Sequence, residues 1–413
     1  MTFVWKSNKS NEATRRTGSS DPGQAQEAGV AAIDFACGLD PAHDSYAVAI
    51  VDRILKSAIA ANVTDIHFEL NRDQTLLRWR VEGTLIDLGS IPNGRTTSIL
   101  NRIKALARLV TYRSDIPQEG RLVAPEYQLE ARVGTLPTLH GERAVVRLAS
   151  NRKKLRSLQE LGLTEALLKQ IRQGISSASG VILICGPAGA GKTTTAYACL
   201  RELSCEDRMP RSLVTLEDPI EIEFPGAAQS QINPAVGYDW ASGLKALLRQ
   251  DPEVMLVGEI RDAGTASVVF DAALTGQLVV TTMHARSAAD ALRRLLDMQI
   301  PPQHLLSGLN LLLCQRLLRS ACACQHTAPL TSAATRASCP SCGGSGYTGR
   351  FLLAEVFPEV EMELARALLA DTNTKQLESI AKTAGMITLL QQATEACVDG
   401  RTNSAELKRH FTP

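Results

Sequence analysis

The sequence predicts an α/β protein in which a doubly wound, mostly parallel sheet domain follows a smaller α+β domain. First, its 413 residues exceed one ordinary domain of about 150 residues, so two or three domains are expected. Second, short apolar segments alternate with helical patterns from residue 158 to about Leu318, as in a parallel sheet covered by helices. Third, the preceding part of the chain has an amphipathic helical pattern followed by strand patterns.

Composition and charge limit the classes of protein to which the chain can belong. Hydrophobic residues make up 44%, charged residues 21% and aromatic residues 4%, so the chain can bury aliphatic cores. Lysine and arginine number 44 against 43 acidic residues, a net charge of +1, and no nucleic-acid partner is expected. No apolar run reaches the roughly 18 residues of a membrane span, and no secretory signal is visible. We therefore predict a cytosolic protein whose membrane contact is at most peripheral.

The order of the patterns divides the chain into units. An amphipathic helix begins at Tyr46, strands are expected at 65–69 and 76–81, and further strand patterns run to Arg147. Another helix is expected over Leu158–Gln173. The predicted units are a flexible leader (1–42), the α+β domain (43–150), a basic linker (151–157), the α/β core (158–318), a cysteine-rich subdomain (319–350) and a helical C-terminal region (351–413).

A glycine-rich turn follows the first apolar strand of the core, Val181–Cys185. Its letters, GPAGAGKT over 186–193, fit the phosphate-binding pattern G-x-x-x-x-G-K-[ST], and a helical run over 194–203 comes next. Glycines let backbone N–H groups turn inward around phosphate oxygens, and the helix N-terminus adds its dipole. The turn therefore predicts a site for ATP and Mg²⁺, in which Lys192 would reach the β- and γ-phosphates and the Thr193 hydroxyl would bind the metal. The predicted nucleotide-binding residues are Gly186, Pro187, Ala188, Gly189, Ala190, Gly191, Lys192, Thr193 and Thr194.

Two further strands lead to acidic residues, which such a site needs. Val254–Val257 is followed by Glu259, where P-loop enzymes place a Mg²⁺ ligand, and Ser212–Leu216 is followed by Glu217. The carboxyl ends of parallel strands meet at one edge of a sheet, so both carboxylates are expected near the phosphates. One would hold the metal and one would orient the attacking water; alternatively, both are ordinary surface acids at strand ends.

A fourth strand, Leu278–Thr282, leads to His284 at the same predicted edge. A lone histidine is usually structural, but an imidazole here could instead hydrogen-bond the γ-phosphate and report its loss. Position alone leaves both interpretations open.

Charge is unevenly distributed along the chain. Residues 71–156 contain 16 Lys and Arg against 8 Asp and Glu, whereas residues 206–275 contain 5 against 12. These net charges of +8 and −7 reflect either chance on solvated faces or two surfaces that meet, within one chain or between subunits.

Four of the ten cysteines lie within 21 residues, as C-x-C, fourteen intervening residues and C-x-x-C. Four thiolates are the ligand set of a structural Zn²⁺ site, which has no open position for chemistry. The C-x-C half is one residue shorter than usual, so Cys314 or His326 could replace a ligand, or the metal could be lost. The predicted zinc ligands are Cys322, Cys324, Cys339 and Cys342.

Taken together, these segments resemble the secretion and type IV pilus assembly ATPases of the GspE/PulE type. Thr215–Glu221 is similar to the Asp box of that family, Leu256–Asp262 to its atypical Walker B segment, and Thr275–His284 to its His box. The resemblance covers the chain from about residue 45 to its end. Other similar segments are 64–69, 80–83, 117–121 and 137–142 upstream, and 346–350, Glu355 and 385–386 downstream.

The resemblance implies a RecA-like P-loop ATPase core preceded by a PAS-like small domain, with a tetracysteine zinc subdomain and a helical C-terminal tail. It also implies a cytoplasmic homo-hexamer, peripheral at the inner membrane. Such a ring hydrolyses ATP to move an inner-membrane platform protein, and thereby powers type IV pilus assembly or type II protein secretion.

The resemblance also assigns roles by position. Glu217 and Glu259 become the catalytic acids, Glu259 shares Mg²⁺ with Thr193, and His284 becomes the γ-phosphate sensor. Arginines of the small domain act at the nucleotide in this family, where they stabilise the charge of phosphoryl transfer. The arginines in the matching stretches are Arg113, Arg121 and Arg132.

Departures from the family pattern and rival functions also follow from the sequence. Glu82 and Glu119 stand where the family usually has Asp, and only about 40 residues precede the small domain, where secretion members usually carry an extra domain. Membrane recruitment is therefore expected to differ or to be simpler. The rivals are a pilus retraction or conjugation-type transport ATPase, a nucleotide-binding scaffold without hydrolysis, and, as the weakest, a nucleic-acid motor. Retraction motors generally lack the cysteines, so bound zinc would favour assembly.

Overall fold

In the residues that it describes, the computed structural model of the chain contains two β-sheets, each covered by its own helices. It describes residues 39–40, 43, 45–61, 63–81, 83–124, 129–149, 155–204, 211–324, 339, 342, 345–358, 366–368, 370 and 372–411. The predicted leader (1–42) therefore lies outside the described residues except at 39 and 40, and the predicted linker (151–157) does so except at 155–157. None of the helices in the described ranges has the length and apolar character that spanning a bilayer requires.

The smaller sheet and its two helices are built from residues before 150. Its elements are α1 (Tyr46–Ala60), β1 (Asp65–Leu70), β2 (Gln74–Val81), β3 (Thr84–Pro92), α2 (Asn93–Leu106), β4 (Gln118–Ala124), β5 (Leu129–Thr138) and β6 (Gly141–Ala149). Neighbouring strands all pair antiparallel, in the order β3-β2-β1-β6-β5-β4. Ile50 and Ile54 of α1 and Ile99 and Ile103 of α2 are at most 2% exposed and belong to one core with the sheet. Their helical spacing explains why both helices pack there.

The structure corrects one expectation within this domain. Strand patterns are expected up to Arg147, but residues 93–106 form the helix α2. Ile99, Leu100 and Ile103 are buried at the spacing of one helix face and do not alternate as strand residues do.

A buried ion pair ties α2 to β6. The Lys104 side chain is 0% exposed, and its Nζ donates to the two carboxylate oxygens of Glu142 at 2.9 and 3.0 Å. The same Nζ donates to the carbonyl oxygen of Arg113 at 2.6 Å, which also accepts from Gln118 Nε2 at 2.7 Å. The connection between α2 and β4 is therefore held in place by buried polar groups.

The larger sheet has seven strands. Its elements, with the covering helices, are α3 (Glu165–Ser176), β7 (Gly180–Cys185), α4 (Lys192–Leu203), β8 (Leu213–Glu217), β9 (Ala228–Gln231), α5 (Trp240–Leu247), β10 (Val254–Val257), α6 (Ala263–Leu274), β11 (Leu278–Met283), α7 (Ala288–Asp297), α8 (Pro302–Gly308), β12 (Leu309–Ala321) and β13 (Tyr347–Val356). The strand order is β13-β12-β7-β11-β10-β8-β9, and all pairs are parallel except β12 with β13. This arrangement confirms the predicted α/β fold class.

Local sequence explains why these elements form. Every residue of β7, β10 and β11 is buried, as expected for parallel strands covered by helices on both faces. Polar residues then begin the helices at the strand ends. Asp262 Oδ1 accepts from the backbone N–H of Thr265 at 2.8 Å, and Ser287 Oγ accepts from that of Asp290 at 3.1 Å.

The helix predicted over Leu158–Gln173 is interrupted. Residues Gln159–Leu161 form a single 3₁₀ turn, and α3 begins only at Glu165. Gly162 ends the first turn because it takes a left-handed conformation with φ of 73°, and the Thr164 hydroxyl caps the second helix.

The predicted helical region at 351–413 begins with a strand. β13 extends to Val356 and pairs antiparallel with β12 in the large sheet, so the sheet continues beyond the predicted core boundary at 318. The cysteine-rich segment separates the two strands in sequence, and a local pattern does not reveal such a pairing. The remaining described elements are helical: α9 (Thr374–Thr383), α10 (Leu389–Val398) and α11 (Ser404–Phe411).

One buried carboxylate fixes two helices onto this last strand. Glu355 is 3% exposed, and its two oxygens accept from the backbone N–H groups of Ala288, in α7, and Leu389, in α10, both at 2.9 Å. Burial raises the pKa of Glu355, while these helix N-termini oppose the shift. The C-terminal helices are thereby attached to the large sheet.

Replacing Lys104 should destabilise the small domain strongly. In Lys104→Met the carboxylate of Glu142 stays buried without its counter-charge, and we expect a loss of about 3–5 kcal/mol in unfolding free energy. Urea denaturation followed by circular dichroism measures it. Lys169→Met, on the exposed surface of α3, is the matched control, and Lys104→Met/Glu142→Leu should recover most of the loss. A Lys104→Met protein that unfolds at the wild-type urea concentration would contradict the assignment.

Candidate active site

The predicted phosphate-binding residues, 186–194, form the turn between β7 and α4 and the first three residues of α4, at the carboxyl end of the large sheet. Gly186, Gly189 and Gly191 have φ values of 150°, 73° and 87°, which favour glycine. A Cβ on Gly186 would stand 2.4 Å from the carbonyl oxygen of Gln315 in β12. The turn therefore requires glycine both for its backbone angles and for the close approach of the neighbouring strand.

Lys192 lies at the start of α4 with its side chain folded over the turn. Its Nζ donates to the carbonyl oxygens of Gly186 at 3.0 Å and Pro187 at 3.1 Å, and lies 3.5 Å from Nδ1 of His284. Burial lowers the pKa of Lys192, while the negative charge of Glu259 opposes this shift. The ammonium group thus has three polar contacts close to the predicted phosphate position.

Glu259 and His284 follow neighbouring parallel strands, β10 and β11, and meet at the same edge. His284 Nε2 lies 3.4 Å from Glu259 Oε2, and Arg261 Nε donates to Glu259 Oε1 at 2.6 Å. Thr282 Oγ1 donates to the carbonyl oxygen of Gly258 at 2.7 Å, which fixes the two strand ends together. Burial lowers the pKa of His284 and the charge of Lys192 lowers it further, while Glu259 opposes the shift, so the site favours the neutral imidazole. The structure therefore brings together Lys192, His284 and Glu259.

The structure places Glu217 differently. It is the last residue of β8, only 3% exposed, and its carboxylate accepts from the hydroxyls of Tyr197 and Thr215, both at 2.7 Å. Gln229 Nε2 donates to the same carboxylate at 3.2 Å. Burial and the adjacent Glu217 raise the pKa of Tyr197, so its hydroxyl stays a donor. In this arrangement both oxygens of Glu217 are engaged with α4 and β9.

Sequence reasoning missed a residue that contacts the turn from β12. Gln315 is 0% exposed, and its Nε2 donates to the carbonyl oxygen of Ala190 at 2.8 Å. Its Oε1 is buried and accepts no hydrogen bond from the described residues. The signal that could have identified Gln315 is the polar pair Gln315-Arg316, which interrupts the otherwise apolar run Leu311–Leu318, because a buried polar residue in a strand needs a partner.

The three predicted arginines lie in the small domain, where they pair with its own carboxylates. Arg113 Nη2 lies 3.1 Å from Asp115 Oδ2. Arg121 on β4 and Arg132 on β5 are directly opposite each other, and their partners are Glu130 and Glu119. No hydrogen bond or ion pair between described residues connects these arginines to residues 186–194.

The four predicted zinc ligands come together. Cys322 and Cys324 follow β12, Cys339 and Cys342 precede β13, and all four sulfur atoms lie within 4.8 Å of one another. The Sγ atoms of Cys322 and Cys339 are 3.9 Å apart, and those of Cys324 and Cys342 are 3.6 Å apart. The C-x-C spacing therefore delivers both of its sulfur atoms to one cluster.

This cluster fits a tetrahedral metal. With Zn–S bonds of about 2.3 Å, the sulfur atoms of a tetrahedral site lie about 3.8 Å apart, which matches the two measured pairs. The backbone N–H of Gly346 lies 3.3 Å from Cys342 Sγ, as a donor to a ligating sulfur does. Cys314, one predicted substitute, instead pairs in register with Cys185 inside the sheet, and His326 lies outside the described residues. These four cysteines can hold a zinc ion.

The fold and the site together define a class of protein. A glycine-rich turn between a buried parallel strand and a helix, with a lysine, a histidine and an acid at the same sheet edge, is the arrangement of a P-loop ATPase. The chain belongs to the family described as type II/IV secretion system protein, whose sequence profile matches residues 41–409. The predicted membership of the secretion and pilus ATPases is therefore confirmed.

Several curated relatives are about one third identical to the chain over the aligned residues. The type IV pilus assembly ATPase PilB of Thermus thermophilus is 32% identical over 384 residues, which cover 88% of this chain and 43% of that protein. The type II secretion system protein HxcR of Pseudomonas aeruginosa is 34% identical over 374 residues, covering 90% and 78%. The type II secretion system protein E of Klebsiella pneumoniae is 36% identical over 390 residues, covering 90% and 77%. The chain thus spans less than half of the Thermus relative.

Solved structures share the fold at lower identity. The ATPase DotB of Legionella pneumophila superimposes with a TM-score of 0.63 at 22% identity, covering 87% of this chain and 94% of that one. The pilus retraction motor PilT with bound ADP gives a TM-score of 0.58 at 22% identity, covering 87% and 96%. These likenesses support the arrangement of a small domain followed by an α/β core.

Removing one cysteine should abolish metal binding. We expect about one zinc per wild-type chain and none in Cys342→Ser, because three thiolates hold the ion much more weakly than four. Elemental mass spectrometry on protein purified without chelators measures the stoichiometry. Cys397→Ser, on α10, is the matched control and should keep its zinc. Wild-type protein that stays free of zinc after reconstitution with the metal would contradict the assignment.

Proposed function

We propose that the chain binds ATP with Mg²⁺ at residues 186–194 and hydrolyses the bond between the β- and γ-phosphates. The observation that carries the proposal is the contact of Lys192 with His284, and of His284 with Glu259, beside the glycine-rich turn. Three strands of one parallel sheet deliver these groups to the edge where α/β proteins bind their ligands. The name of the Thermus relative, a pilus assembly ATPase, is consistent with this activity.

Phosphate binding would exchange the contacts of Lys192. Its ammonium group would leave the carbonyl oxygens of Gly186 and Pro187 for phosphate oxygens, while the backbone N–H groups of the turn bind the same phosphates. His284 lies 3.5 Å from Lys192 and would follow this movement, which supports its proposed role as the γ-phosphate sensor. When bound, Mg²⁺ would neutralise phosphate charge; Thr193 would hold it directly and Glu259 through a water molecule, which leaves the Glu259 carboxylate able to accept a proton.

Hydrolysis requires a group that orients water and accepts its proton. Water attacks the γ-phosphorus, the bond from that phosphorus to the bridging oxygen breaks, and ADP and phosphate leave. Glu259 is suited to this task because its side chain is 21% exposed and reaches His284. Glu217 keeps its predicted catalytic role only if its carboxylate first exchanges the hydrogen bond with Tyr197 for one with water.

We propose that the catalytic unit is a ring of six copies. Arg113, Arg121 and Arg132 would then contribute charge stabilisation to a nucleotide site, their own or that of a neighbouring subunit. Their present carboxylate partners are on the exposed surface, where ion pairs are weak and easily exchanged for phosphate. The opposite net charges of residues 71–156 and 206–275 support such contact between subunits.

The work of this ring is proposed to be type IV pilus assembly or type II secretion, at the cytoplasmic face of the inner membrane. The partner would be an inner-membrane platform protein, contacted peripherally. The four-cysteine cluster favours assembly or secretion over a pilus retraction or conjugation-type transport motor. A nucleotide-binding scaffold without hydrolysis is the second alternative.

Two substitutions test the chemistry. Glu259→Gln should lower kcat about 10²–10⁴-fold while ATP still binds, because the amide cannot accept the proton of water. Lys192→Ala should lose nucleotide binding as well. The measurement is Mg²⁺-dependent phosphate release, with the oligomer mass recorded for each sample. Glu223→Gln, an exposed acid of the same region, is the matched control. A hexamer that binds ATP but releases no phosphate, even with phospholipid and a platform fragment, would favour the scaffold.

A third substitution tests the contact from β12. In Gln315→Leu the carbonyl oxygen of Ala190 loses its buried donor, which costs about 1–3 kcal/mol and distorts the turn. ATP affinity should fall by about 5- to 150-fold, as measured with a fluorescent ATP analogue. Gln303→Leu, on the exposed side of α8, should bind like the wild type. Unchanged affinity in Gln315→Leu would show that β12 does not shape the turn.

A further inference from the structure

One arginine near the end of β12 contacts three separate parts of the chain. Arg319 Nη1 donates to Thr84 Oγ1 of the small domain at 2.8 Å. Its Nε donates to Glu406 Oε2 of α11 at 2.8 Å. Its guanidinium carbon lies 3.8 Å from the centre of the Tyr347 ring, where β13 begins. Only 14% of the Arg319 side chain is exposed, so these contacts occupy nearly all of its surface.

Glu406 is the buried counter-charge of this arginine. Its side chain is 1% exposed, Oε1 accepts from the backbone N–H of Arg319 at 3.1 Å, and His410 Nε2 lies 3.1 Å away. Burial alone would raise the pKa of Glu406, but the hydrogen bonds from His410 and Arg319 outweigh it and lower the pKa to about 2. A carboxylate bonded at both oxygens by a planar guanidinium and its own backbone is a geometrically fixed pair.

A second arginine, Arg409 of α11, contacts the same turn of the small domain. Arg409 Nη2 donates to the carbonyl oxygen of Gly83 at 2.8 Å, and its Nη1 donates to Thr84 Oγ1 at 3.2 Å. The turn between β2 and β3 is therefore held by two guanidinium groups, both beside Glu406. We call Arg319, Glu406, Arg409 and Thr84 the interdomain joint.

One strand, β12, connects the interdomain joint to the glycine-rich turn. Gln315, which contacts Ala190, and Arg319 are four residues apart on β12, or about 13 Å along the strand. The two residues lie on the same face of β12, and residues 315–319 pair with β13 in unbroken register, so we expect a displacement of β12 at Gln315 to reach Arg319.

The geometry of the small sheet amplifies any rotation at the joint. Thr84 begins β3, at one edge of the six-stranded sheet, and Arg121 lies on β4 at the opposite edge. Five strand spacings of about 4.8 Å separate the two edges, or about 24 Å. A rotation of about 5° at β3 would therefore move Arg121 by about 2 Å, and misplacement by about 1 Å can cost a catalytic group two orders of magnitude in rate.

We propose that the interdomain joint sets the orientation of the small domain relative to the glycine-rich turn, and that Arg319 is a positioning residue for ATP hydrolysis. It acts through the arginines of the small domain and does not touch the nucleotide. The inference rests on the proposed ATPase function, which it deepens by identifying what aligns those arginines.

Thr84 offers the sharpest test because its hydroxyl accepts from both arginines without belonging to the core. Thr84→Val removes this acceptor at constant shape, and Thr84→Ser restores it. We expect Thr84→Val to lower kcat about tenfold at unchanged ATP affinity, and Thr84→Ser to keep the wild-type rate. Thr394→Val, on the exposed side of α10, is the second control.

Hydrogen exchange provides a readout that is independent of activity. Backbone amides around residue 84 and in α11 should exchange about tenfold faster in Thr84→Val than in the wild type, because the contact between them opens more often. Faster exchange with an unchanged kcat would refute the positioning role. Unchanged exchange would show that the interdomain joint does not hold the small domain to α11. Wild-type protein that binds ATP without hydrolysing it would instead refute the proposed function, while exchange would still decide whether the joint exists.

Discussion

The close approach of β12 to the glycine-rich turn is the constraint on which the site depends. The carbonyl oxygen of Gln315 lies only 2.4 Å from the place where a Cβ on residue 186 would stand, so no other residue fits without moving the strand. The same approach puts the Gln315 amide on Ala190 and leaves Lys192 to project towards β11. The turn is therefore shaped from outside by a neighbouring strand as well as from inside by its glycines.

A second constraint is electrostatic, because a buried ammonium group must be compensated. Around Lys192 the compensation comes from two carbonyl oxygens, a neutral imidazole and, beyond it, the Glu259 carboxylate. None of these groups is a direct, tightly bonded counter-ion. A phosphate group can therefore replace them at little cost, whereas the buried pair of Lys104 with Glu142 is bonded at both oxygens and is suited to hold structure.

The sequence predicted those parts of the molecule that depend on short segments. The strand, turn and helix around Lys192 are contiguous, and Glu259 and His284 follow apolar strands whose parallel pairing brings them to one edge. Burial of Glu217 against Tyr197 could not be predicted, because it depends on how α4 packs over β8. The strand β13 was missed for a similar reason: its pairing with β12 bridges the cysteine-rich segment, and its residues carry no strong alternation of their own.

The pairing of β12 with β13 explains what the cysteine cluster could do for the structure. The chain leaves the sheet after β12 and must return in register as β13, and closing an excursion of more than twenty residues costs conformational entropy. A metal bound by Cys322, Cys324, Cys339 and Cys342 would join the two ends of the excursion, next to the hydrogen bond from Cys322 N to the carbonyl oxygen of Gly346 at 2.8 Å. Tyr347, directly after that bond, stacks on Arg319. A metal without an open coordination position would thus serve the α/β core through geometry alone, because it would fix the end of the strand that carries both Gln315 and Arg319.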